Sequence, residues 1–133
     1  MPESHYHTKM VREIGSWIKT QHPSNDITVL LDTPETPGHQ LPQLINNYRP
    51  DVFAKGSQNN IFLGEAKSPR GLETSHSIRQ IKSYLRYLSD KPNSVFVLAT
   101  SWDMGRCAKS LVISLQEEVS AENVLLEIIT VWP

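Results

Sequence analysis

Val11, Ile14 and Ile18 recur at the spacing of one helix face, which predicts an amphipathic helix over residues 5–20 with Ser4 as its N-cap. That helix is expected to stop before His22-Pro23, because a residue preceding proline avoids the α region. Ile27–Leu31 is β-branched and leucine-rich, the pattern of a strand. Residues 33–48, with Pro34, Pro37, Gly38 and Pro42, are expected to form a mobile surface loop. Residues 49–55 and 61–67 read as two strands of a hairpin around the turn-forming run Gly56-Ser57-Gln58-Asn59-Asn60. Ile78, Ile81, Leu85 and Leu88 form the apolar stripe of a helix over 73–89. A compact strand is expected at 94–100, a third helix at 103–120 and a last strand at 124–132. The last strand is apolar nearly throughout, apart from Glu127 and Thr130, so it is expected to lie centrally in a sheet or under a second chain. The order αβββαβαβ predicts an α/β fold, a mixed central β-sheet flanked by helices.

With 133 residues, one domain spanning 1–133 is expected. No apolar run approaches the ~20 residues of a membrane span, so no membrane partner is expected. The segment MPESHYHTKMVRE has no apolar stretch to serve as a secretory signal, and the lone Cys107 cannot close an internal disulfide; a cytoplasmic location is expected. That single cysteine also excludes a zinc ribbon or a four-cysteine iron–sulfur cluster. Thirteen Lys+Arg against fourteen Asp+Glu give a formal charge of -1, which argues against a partner held by bulk positive charge.

The chemistry concentrates in the hairpin. A turn centred on Gln58 leaves Asp51 and Glu65 equally far from the centre, so they face each other with Cβ atoms about 4.5–5.5 Å apart. Two like charges at that spacing are destabilising unless a cation sits between them. Mg²⁺ suits the gap, because it takes carboxylate oxygens and keeps several waters. Lys67, on the same face as Glu65, can position an attacking water or stabilise charge on a phosphoryl oxygen. The combination suits metal-assisted hydrolysis of a phosphodiester. A solvated surface hairpin carrying the same three charges is the competing reading.

Pro50-Asp51 followed by Glu65-Ala66-Lys67 resembles the signature of the PD-(D/E)XK nucleases, whose restriction-endonuclease-like core runs helix, three strands, helix, strand. The same order is expected here over residues 5–100. The resemblance implies that Asp51 and Glu65 bind Mg²⁺, that the Ala66 carbonyl completes the metal's inner shell and that Lys67 is the catalytic lysine. The spacing Gln80-x-x-x-Tyr84 resembles a motif of the exonuclease-type branch. It implies a Gln80 near the metal or a substrate phosphate and a Tyr84 that orders the substrate's surroundings. On a helix from residue 73, Glu73, Ser77, Gln80 and Tyr84 fall within about 60° of one another, beside the apolar stripe. A solvated Gln80 and a core-edge Tyr84 satisfy that pattern equally. Glu13 matches the first-helix glutamate with which many members reach the metal, and it also reads as an exposed residue near Lys9 and Arg12.

His5 and His7 read as exposed polar sequence, Trp102 and Trp132 as core or interface residues rather than base-stacking ones, and Cys107 as a small hydrophobe buried on its helix. The expected function is a Mg²⁺-dependent nuclease acting on DNA by metal-activated water, with Mn²⁺ substituting. The alternative is a non-catalytic nucleic-acid-binding or assembly subunit that retains the nuclease fold. Facing carboxylates favour the enzyme, since a binding module has no need for them beside phosphates. Small size and near-neutral charge suggest a homodimer or larger assembly.

Overall fold

The computed structural model describes residues 5–21 and 26–133, so the expected Ser4 cap and the stop at His22-Pro23 lie outside the described residues. Among the described residues, five strands form one mixed sheet in the order β1-β2-β3-β4-β5. The strands β1 (Ile27–Leu31), β2 (Val52–Gly56) and β3 (Ile61–Ala66) run antiparallel, whereas β4 (Val95–Ser101) and β5 (Leu125–Val131) continue parallel to β3. The hairpin register pairs Val52 with Gly64 and Lys55 with Ile61. One further step along that register sets Asp51 opposite Glu65, the facing expected from the turn.

Helix α1 (His5–Gln21) covers one face of the sheet, laying Val11, Ile14 and Ile18 on Val52, Ala54, Val97 and Ala99. Gly64 permits the close approach, because a Cβ there would come within 2.7 Å of an Ile14 methyl. On the opposite face Leu63, Phe96 and Leu98 meet α3 (Ser75–Ser89) and α4 (Gly105–Glu118) through Ile81, Leu85, Leu88 and Val112. Both faces of β4 are therefore covered, and all seven of its residues are buried. No described helix is long and apolar enough to cross a membrane.

The structure departs from the sequence reading in several places. The helix expected over 73–89 is found as α3, starting two residues later at Ser75; a separate short α2 (Pro69–Leu72) precedes it, and Glu73 closes α2 instead of lying on the α3 flank. The punctuation is local, since Ser68 with Pro69 is a cap followed by a first-turn proline, and the Thr74 hydroxyl then accepts from the Ser77 N–H to start α3. The loop 33–48 is pinned. It holds a short 3₁₀ turn at Gly38–Gln40, buried Ile45 joins the core, and the Asn46 amide donates to Ser83 Oγ at 2.9 Å. Ile45 and Tyr48 exchange both backbone bonds around Asn46 and Asn47, which sit at positive φ as a tight reverse turn requires.

Strand β5 lies at an edge beside β4, so a central position is overturned; Leu125 is 61% exposed and the four residues after it are half-buried. Trp102 and Trp132 do not fill the core but stack on one another at the surface, and Cys107 is exposed on α4.

Candidate active site

Pro50 sets up the site by what it lacks. Asp51 turns its carbonyl toward β1, accepting from the Asp32 N–H at 2.8 Å, and Lys67 turns its N–H toward Ala99 of β4 at 2.9 Å. Beyond the last ladder pair, Val52 with Gly64, the chain bends at Asp51, and the Asp51 N–H leaves the strand direction for the Glu65 carboxylate. Proline has no N–H, so Pro50 cannot continue the ladder, which ends at Val52 and Gly64. The Ala66 N–H instead donates to Asp51 Oδ2 at 2.9 Å. Asp51 gives its carbonyl to β1 and shares no ladder bond with Glu65, the kind of pair in which facing side chains come closest.

Both carboxylates are buried, Asp51 to 8% exposure and Glu65 to 2%. Glu65 Oε1 accepts from the Asp51 N–H at 3.2 Å, Tyr84 OH at 3.1 Å and Gln80 Nε2 at 3.4 Å. Its other oxygen lies 3.5 Å from Lys67 Nζ, which donates to Gln80 Oε1 at 2.5 Å. One glutamine thus bridges the acid and the lysine, using one end of its amide for each. Gln80 is accordingly not a solvated helix position. Tyr84, expected beside the substrate, is fully buried and acts on the site through Glu65.

Burial dominates the electrostatics. It pushes the Asp51 carboxyl above its ordinary value, against the pull of the Ala66 N–H, His7 and Lys67. Glu65 is pushed well above the ordinary carboxylate range, first by burial and then by the Asp51 charge, with Lys67 opposing. The Tyr84 phenol is raised by burial and then by Glu65, which keeps it a hydrogen-bond donor.

The first helix reaches the site through His7, whose Nε2 lies 3.5 Å from Asp51 Oδ2. Glu13 is exposed and lines a separate cleft with Thr8, Arg12, Pro34 and Glu35, so the structure does not gather it with the other candidates. Periodicity could have found His7: it precedes Val11, Ile14 and Ile18 in phase, on the stripe that faces the sheet. Thr100 was also missed. Its register position on β4 is beside Lys67, and its buried hydroxyl has no hydrogen-bond partner among the described residues.

Two carboxylates and a backbone carbonyl are hard oxygen donors, and the mutual repulsion of the buried pair favours a cation. This set fits Mg²⁺, which binds through one or two carboxylates and keeps waters. Among the described residues no three His, Cys, Asp or Glu side chains form a metal-binding group, so a cage built from side chains alone does not fit. In comparisons with known proteins, no family model, curated protein or solved structure matches the chain.

Proposed function

We propose that the chain is a metal-dependent nuclease of the PD-(D/E)XK type, with a restriction-endonuclease-like fold, that hydrolyses phosphodiester bonds of DNA. The observation that carries this reading is the buried Asp51–Glu65 pair, aligned across two strands with the Lys67 ammonium against it. A solvated surface hairpin would leave these groups in water, whereas here three neighbouring elements converge on them. The element order, helix and three strands followed by helix and strand, supports the fold assignment.

Asp51, Glu65 and the Ala66 carbonyl would hold Mg²⁺, with Mn²⁺ as a substitute. When bound, the ion supplies an acidified water and positive charge beside the phosphorus. The chain's own residues do the remainder. Lys67, held by Gln80 Oε1 and Glu65 Oε2, keeps a donor for a phosphoryl oxygen as negative charge builds there. Gln80 and Tyr84 fix Lys67 and Glu65, so the charged groups need little reorganisation when substrate arrives.

The test is a cleavage panel of linear, circular, single-stranded and branched DNA in Mg²⁺, Mn²⁺ and EDTA. Cleavage of at least one substrate with either metal, abolished by EDTA, is the expected result. A clean protein that binds these DNAs and cleaves none of them would instead be a non-catalytic subunit.

A further inference from the structure

We propose that Trp102 and Trp132 form a stacking platform for an unpaired nucleobase, so that the strand presented to the candidate site is single-stranded. The inference rests on the nuclease reading for what the strand undergoes, but its geometry stands separately. The parallel registers of β3, β4 and β5 align Glu65 with Leu98 and Ile128, one row of side chains on a single sheet face. The next row on that face is Lys67, Thr100 and Thr130. One row further, just beyond the last ladder pair of Ser101 with Val131, come Trp102 and Trp132. The tryptophans therefore lie at the same end of the sheet as the carboxylates, immediately past the strand ends.

Their arrangement is a platform. The rings are parallel to within 8°, with centroids 4.6 Å apart, close to the spacing of the neighbouring strands that carry them. Yet Trp102 is 52% exposed and Trp132 64% exposed, so the pair leaves much of its aromatic surface in water. Helix α1 ties this corner to the site: within one turn, Tyr6 donates to the Val131 carbonyl, His7 reaches Asp51, and Lys9 Nζ donates to the Trp132 carbonyl at 2.9 Å. The cleft beside Thr130 is lined by Arg106 and Lys109 of α4 together with Glu127 of β5, and its two cations outnumber the one acid and can hold phosphates.

The occupant follows from this setting. Strand spacing and rise place the two Cα atoms about 8 and 12 Å from that of Lys67. A strand whose phosphate sat at Lys67 would reach the rings after about two to four stacked nucleotides. Inside a duplex each base face is already covered by its neighbours, so an unpaired base is the partner that gains by stacking.

The experiment uses the full chain in EDTA, with an oligothymidylate, the same backbone carrying abasic sites, and a blunt duplex. The oligothymidylate is expected to quench tryptophan fluorescence and to bind about tenfold tighter than its abasic counterpart. In the Trp102→Leu/Trp132→Leu double variant that ratio should fall to about one. Trp17, carried on α1 and packed edge-on against Phe62 of β3, remains as an internal reference. Should the double variant fail to fold, Trp132→Leu alone is expected to lower the ratio severalfold. A wild-type protein indifferent to the bases, a preference that survives in the variant, or one shown only for blunt ends would overturn the platform. So would fluorescence that follows protein concentration instead of the strand, which would mean that a second copy covers the rings. The two readings separate in Mg²⁺: cleavage with a ratio of one leaves the nuclease without the platform, and the expected ratio without any cleavage leaves the platform in a binding protein.

Discussion

Asp51→Asn, Glu65→Gln and Lys67→Ala are each expected to lower Mg²⁺-dependent DNA cleavage by about 10²-fold or more. Each removes a charge that, in the proposed mechanism, acts on one transition state, while the first two leave the local hydrogen bonds with acceptors. In Asp51→Asn the new amide oxygen can still accept from the Ala66 N–H. In Glu65→Gln the amide oxygen can still take the bonds from the Asp51 N–H, Gln80 and Tyr84. Loss of activity in these two variants is therefore expected without loss of folding. Lys67→Ala leaves Gln80 Oε1 without its donor, so its melting temperature needs recording beside its rate. Initial rates on whichever DNA the panel selects decide the matter, and a rate near that of the unaltered chain would remove that residue from the site.

The second large effect is on stability. Because burial raises the Asp51 and Glu65 pKa values, the folded chain retains protons at a pH where the unfolded chain, with carboxyls near ~4, has released them. Stability of the metal-free protein should then fall as pH rises from the ordinary carboxylate value through the raised ones. On the proposed reading Mg²⁺ binds the native state and offsets this loss. At a hundredfold excess over its dissociation constant it adds about 2.7 kcal/mol, roughly 10 °C for a chain of this length. Glu65→Gln should melt at or above the unaltered chain in EDTA near neutral pH, flatten the pH dependence and lose most of the metal-induced rise. Thermal melts across pH, with EDTA and with Mg²⁺, test all three. A variant that is less stable in EDTA yet fully responsive to metal would make Glu65 a structural acceptor with the cation held elsewhere.

The hairpin was legible because its register depends on a short turn, and the turn residues are visible in the chain. Gln80 and Tyr84 were within reach for a similar reason, as four-residue spacing puts both on one side of α3. Strand order is a different kind of fact. Nothing local in residues 124–132 distinguishes an edge from a centre, and β5 takes the edge because β4 lies between it and β3. His7 was misread by its neighbourhood: beside exposed His5 it looked terminal, although the helix phase turns it toward the sheet. The loop 33–48 looked mobile because prolines and glycine fill it, whereas one apolar residue, Ile45, anchors it in the core.

The imino acid at position 50 sets closing the hairpin against using it. Any other residue there would restore an N–H at the position that continues the register opposite Ala66, able to extend the ladder and to compete for an oxygen proposed to serve the cation. A new ladder bond contributes about 0.5–1.5 kcal/mol, partly offset by about 0.4–1 kcal/mol as the unfolded chain gains freedom without the proline. Pro50→Ala should therefore change the urea midpoint little while weakening the Mg²⁺-induced rise in melting temperature; an unweakened rise would show that the carbonyl is not used. On the proposed reading, a tighter hairpin and an open ligand oxygen make opposite demands on the same backbone position, and proline meets the second.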